Sequence, residues 1–128
     1  MVVHPALVHY PLAFYFLELV LILFWQARKD PAFLRFAHFS FRMGYLFMIA
    51  AIIAGYFDAG AHLPVPVKIR LHFYAAASVL VFYTLRAVYW HWAKEDQKNY
   101  PAILLIGTLI GNALLTLTGF LGGKIVYG

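Results

Sequence analysis

An all-α integral membrane protein, built as an up-down-up-down four-helix bundle, is the fold class this sequence predicts. Three observations carry the prediction. Of 128 residues, 64% are hydrophobic and only 12% charged, and the mean hydropathy of +0.78 exceeds what a soluble domain of this size keeps in solution. Four apolar runs each reach the length of about 20 residues that crosses a hydrocarbon core. The connections between the runs are short, which makes neighbouring helices antiparallel.

The first span covers about 5–26. Pro11 lacks an N–H and disfavours helical geometry at Tyr10, so the helix is expected either to start near Pro5 or to begin at Pro11 with residues 4–10 bent over its end. The run starts close behind Met1 without a basic leader or a small-residue cleavage site, and reads as a retained helix, not a removable signal. Span two covers about 36–57, after a charged connection containing Asp30-Pro31. Span three covers about 67–92, after a connection with Gly60, Pro64 and Pro66, and span four about 100–125. Residues 1–128 thus form a single four-span domain in which no internal repeat is apparent.

Orientation follows from the basic residues. Arg28, Lys29, Arg35, Lys94 and Lys98 lie in the first and third connections, against Lys68, Arg70 and Lys124 on the other side, so both termini are expected to face outward. Trp25, Trp90 and Trp92 fall at the inner ends of spans one and three, as an interfacial aromatic belt requires. These cations sit at the ends of spans in contact with membrane lipid and form no nucleic-acid patch, although the net charge is +5. The chain has no cysteine, which removes disulfides, iron–sulfur clusters, covalent c-type haem and blue copper; any metal must be held by imidazole, carboxylate or backbone.

Histidines gather at the outer ends of spans one and three. His9 and His72 begin two parallel helices at similar depth, on one diagonal of the bundle. With neighbouring axes about 8–10 Å apart, that diagonal is roughly 11–14 Å, wide enough for a metal macrocycle between two imidazoles. The crossing diagonal carries small residues at the same end: Ala50, Ala51, Ala54 and Gly55 on span two, Gly119, Gly122 and Gly123 on span four. Arg70, Lys68, Lys124 and Tyr127 edge the same face, where haem propionates seek cations and hydrogen bonds. Small residues also serve ordinary helix packing, and outer lysines also snorkel. His4 stands about 140° from His9 on a regular helix and is expected to hold a propionate, ligate a second cofactor or cap the helix. His62 is expected to be solvated, and His38 and His91 to be interfacial. Glu18, near mid-bilayer, requires a partner among Arg42, Arg86 and Asn112.

These motifs resemble those of a family of small bacterial membrane proteins, the domain of unknown function 2231. His4-Pro5-Ala6-Leu7-Val8-His9-Tyr10-Pro11 is similar to its opening His-Pro-x-x-Val-His-Phe-Pro, Gly55-Tyr56-Phe57-Asp58 to its Gly-x-x-Asp turn, and His72 to the histidine opening its third span. The ending Thr118-Gly119-Phe120-Leu121-Gly122-Gly123-Lys124-Ile125-Val126-Tyr127 resembles its Thr-Gly-x-x-Gly-Gly-x-Leu-Val-Tyr, with Lys124 where relatives often carry an acidic or neutral residue. Some relatives are joined to cytochrome c-like or Rieske-like domains, so the resemblance implies redox company and a place in a bacterial inner membrane.

The functional expectation is a membrane b-type haem protein that transfers electrons near the outer face, with haem b between His9 and His72. Bis-histidine ligation suits electron transfer better than oxygen chemistry. One outer haem does not cross a core of about 30 Å, so its partners would be membrane quinol or an outer-side cytochrome c-like or Rieske-like protein. Two alternatives stand beside it: a zinc, iron or copper ion held directly by His4, His9, His72 and Asp58, and a cofactor-free assembly subunit. Gly107 and Gly111, in Gly-x-x-x-Gly spacing, fit either a homodimer contact or packing within the monomer.

Overall fold

Where the chain first turns, each of three residues has a defined task. Lys29 takes the left-handed conformation (φ 58°) that ends a helix, Asp30 accepts a hydrogen bond through Oδ1 from the Ala32 N–H at 2.9 Å, and Pro31 occupies the first helical position. The result is an antiparallel hairpin between α1 (His4–Arg28) and α2 (Pro31–Asp58). A second hairpin follows from α3 (Val67–Trp92) and α4 (Tyr100–Tyr127). The computed structural model describes residues 4–58, 67–94 and 98–127, with side chains except those of 4–6, 68–69 and 124–127.

All four helices are long and apolar enough to cross a membrane, which makes this a multi-pass membrane protein with four candidate spans. Large apolar side chains face outward on every one of them, among them Phe16, Leu46, Val81 and Phe120. Such a surface is suited to lipid, because in water it would be a continuous apolar patch. α1 runs unbroken through Pro11, which is buried, so the bend considered for residues 4–10 is not found.

The helices stand at the corners of a square. α1 packs most extensively on α2, α3 packs on α4, α1 also packs on α4, and α2 touches α3 least. Neither diagonal pair brings Cα atoms within 8 Å among the described residues. Side chains fill the centre instead: Tyr15, Phe41, Met48, Val79, Tyr83 and Leu115 form one cluster, and Ile22, Leu34, Ala37, Tyr100 and Leu104 a second toward the end where α1 turns into α2. Trp25 meets Tyr100 edge-on, and Gln26 Nε2 donates to the Pro101 carbonyl at 2.8 Å, closing that end.

Candidate functional site

The bundle centre is polar at mid-depth. Arg86 donates through Nη1 and Nη2 to Glu18 Oε1 and Oε2 at 3.0 and 2.6 Å, a bidentate pair joining α1 to α3 across the diagonal. Glu18 is 0% and Arg86 9% exposed. Gly107 on α4 leaves room for the guanidinium, since a Cβ there would stand 3.0 Å from Arg86 Nε, and the Phe41 ring lies 4.9 Å from Arg86 Cζ. Of the three partners considered for Glu18, Arg86 is the one paired; Arg42 is exposed, and Asn112 donates to the Tyr15 and Thr108 carbonyls. One turn toward the start of α1, Tyr15 and Tyr83 stack at 3.8 Å. Each ring enters a gap left by a glycine on the other helix of its own hairpin, Gly44 for Tyr15 and Gly111 for Tyr83. Gly107 and Gly111 therefore make their close approach within the chain.

Above the tyrosines lies a small apolar cavity of about 40 Å³, well below the roughly 300–1,000 Å³ typical of cofactor pockets, so a macrocycle would enter only with the helices moving apart. Val8 and Pro11 of α1 and Met48, Ala51 and Ile52 of α2 wall one side. Ala76 and Val79 of α3, with Leu115, Thr118 and Gly119 of α4, wall the other, and His72 is the ionisable group among the lining residues. His72 Nδ1 lies 3.0 Å from the Thr118 carbonyl oxygen. A carbonyl only accepts, so Nδ1 is the donor in this bond. Gly122 makes room for that ring, as a Cβ there would stand 3.0 Å from His72 Cε1; at Gly119 a Cβ would meet nothing within 4 Å.

The remaining expected site residues divide into those present at this end and those that do not join the cavity. His9 is exposed and is not among the cavity's lining, because unbroken helical register through Pro11 turns it away from the buried face of Pro11, Tyr15 and Glu18. His9 and His72 are thus not brought together around this space. Gly55 and Arg70 are half-buried near the same end. The side chains of His4, Lys68, Lys124 and Tyr127, and all of His62, lie outside the described residues. His38 packs edge-on against Trp90 at 4.4 Å and His91 against Trp92 at 5.1 Å. Among the described residues no three His, Cys, Asp or Glu side chains gather as ion ligands.

Over residues 1–128 the chain matches the family model described as "Predicted membrane protein (DUF2231)". The chain belongs to this family. Neither a curated protein nor a solved structure matches it. For this DUF2231 protein the chemistry must therefore be argued from the cavity beside His72 and the polar centre next to it.

Proposed function

We propose that this DUF2231 protein binds haem b at the outer end of its bundle and transfers electrons there, in a bacterial inner membrane with both termini on the outer side. His72 carries the proposal. It is an imidazole held by a backbone carbonyl through Nδ1, in an apolar cavity shared by four helices. A macrocycle supplies four nitrogens of its own and needs only one or two imidazoles. A directly bound zinc, iron or copper ion needs more protein ligands than the described residues assemble. Because the cavity is small, the macrocycle would project between helices, and α2 and α3 are the pair that touches least. The second axial imidazole comes from α1, which carries His4 and His9. Membrane quinol, or an outer-side cytochrome c-like or Rieske-like protein, would exchange electrons with the haem.

The visible spectrum of protein purified in mild detergent from haem-replete cells tests this. A low-spin b-type spectrum lost on His72→Ala is expected. Colourless, folded protein refutes it: stoichiometric zinc, iron or copper would then indicate a direct metal site, and metal-free protein an assembly subunit.

A further inference from the structure

We infer that this chain is two copies of one helical hairpin related by a two-fold axis along the bundle, and that His4 is the counterpart of His72 and its partner in the outer site. Glu18 and Arg86 are 68 residues apart. The same shift superposes Leu12-Ala13-Phe14-Tyr15-Phe16-Leu17-Glu18 on Leu80-Val81-Phe82-Tyr83-Thr84-Leu85-Arg86, and His4 on His72. One residue less superposes α2 on α4, placing Gly44 on Gly111 and Gly55 on Gly122.

Packing obeys the same shifts. Buried Pro11, Tyr15 and Glu18 correspond to buried Val79, Tyr83 and Arg86. On the other diagonal, buried Ala37, Phe41 and Gly44 correspond to buried Leu104, Thr108 and Gly111. The Tyr15 and Tyr83 rings are within 11° of parallel, and each fills its own hairpin's glycine gap. Cross-hairpin bonds also recur: Asn112 of α4 donates to the Tyr15 carbonyl of α1, and its counterpart Tyr45 of α2 shares a 2.7 Å hydrogen bond with Thr84 of α3.

The cavity lies on this axis, and its walls are pairs. Val8 matches Ala76, and Pro11 matches Val79. Met48 matches Leu115, Ala51 matches Thr118, and Ile52 matches Gly119. His72 alone remains among the lining residues, and the shift that pairs the rest of α3 with α1 assigns it His4. Helical register agrees, since position 4 falls on the face shared by Val8, Pro11, Tyr15 and Glu18. His9 corresponds instead to Ala77, and both are exposed. The shift of α2 on α4 likewise places Gly55 on Gly122, which admits the His72 ring. A pair of imidazoles contributed by matched positions would suit a group with two equivalent faces, as a porphyrin has. The axial role of the pair rests on the haem proposal; its placement about the axis does not.

The absence of native cysteine supplies a direct test. His4→Cys/His72→Cys in the otherwise complete protein, treated in membranes with a bis-maleimide about as long as the roughly 11–14 Å diagonal, should cross-link within one chain. His9→Cys/His72→Cys should remain uncross-linked. In haem-loaded protein, His4→Ala and His72→Ala should each convert low-spin to high-spin haem, while His9→Ala leaves the spectrum unchanged. Cross-linking at 9 and 72 but not at 4 and 72 overturns the pairing, as does loss of the low-spin spectrum on His9→Ala alone. Colourless wild-type protein that still cross-links at 4 and 72 defeats the haem reading and leaves the pair standing.

Discussion

Breaking the Glu18–Arg86 pair from either side leaves one charge stranded in the bundle centre. With Glu18 0% and Arg86 9% exposed, water cannot replace the lost partner. Two unit charges about 4 Å apart attract by about 4 kcal/mol at an effective dielectric near 20, and removing one member of a buried pair typically costs about 3–5 kcal/mol. Glu18→Leu and Arg86→Met should each destabilise by about that amount. Removing both leaves no orphan, so the double variant should lie within about 1–2 kcal/mol of wild type, far from the sum of the singles. Reversible unfolding in mixed detergent micelles, followed by circular dichroism, closes the cycle. Raising the salt from 0.1 to 1 M should leave the coupling nearly unchanged, because a buried pair is little screened. A double variant as unstable as the two singles added together would refute this account of the pair.

Four further outcomes follow from the geometry. Gly111→Ala drives a methyl group to 2.6 Å from Tyr83 Cζ, and the ring is backed by Tyr15, so a loss of about 1–3 kcal/mol is expected in the same unfolding assay. Tyr83→Phe removes a buried hydroxyl that has no hydrogen-bond partner among the described residues and should be neutral or stabilising by about 1 kcal/mol; a clear loss would reveal a bond this account omits. Gly119→Phe projects a ring into the cavity where a Cβ meets nothing within 4 Å, so it should abolish haem binding in titration while leaving helicity intact. Lys29→Gly relieves a left-handed non-glycine residue and should stabilise by about 1 kcal/mol, measured as a raised unfolding midpoint.

Four spans, their order and the need for a partner at Glu18 were legible because hydropathy and length are strong signals in a bilayer. The α1 face was harder. Pro11 suggested a bend, and without one His9 turns outward. The hairpin repeat was missed for a physical reason: lipid asks only that outward residues be apolar, so likeness survives mainly at axis-facing positions such as Tyr15 and Tyr83 or Gly44 and Gly111. The two hairpins also carry opposite charges at the matched positions Glu18 and Arg86. A search for equal residues passes over them, whereas helical periodicity combined with a fixed shift would have found them. The tightness of the Gly107 and Gly111 contacts needed coordinates, because the same spacing serves packing within a chain or between chains.

The ion pair also governs which hairpin may dock on which. Hairpins inserted in a bilayer find one another in a second step, when lipid no longer distinguishes one apolar face from another. Two first hairpins meeting about the axis would set Glu18 against Glu18, and two second hairpins would set Arg86 against Arg86, each with like charges buried and unmatched. Only unlike hairpins neutralise each other. Docking within one chain and exchange of a hairpin between two molecules both satisfy that rule, and the short connection at 59–66, which joins the two hairpins, decides between them by keeping the correct partner at high local concentration.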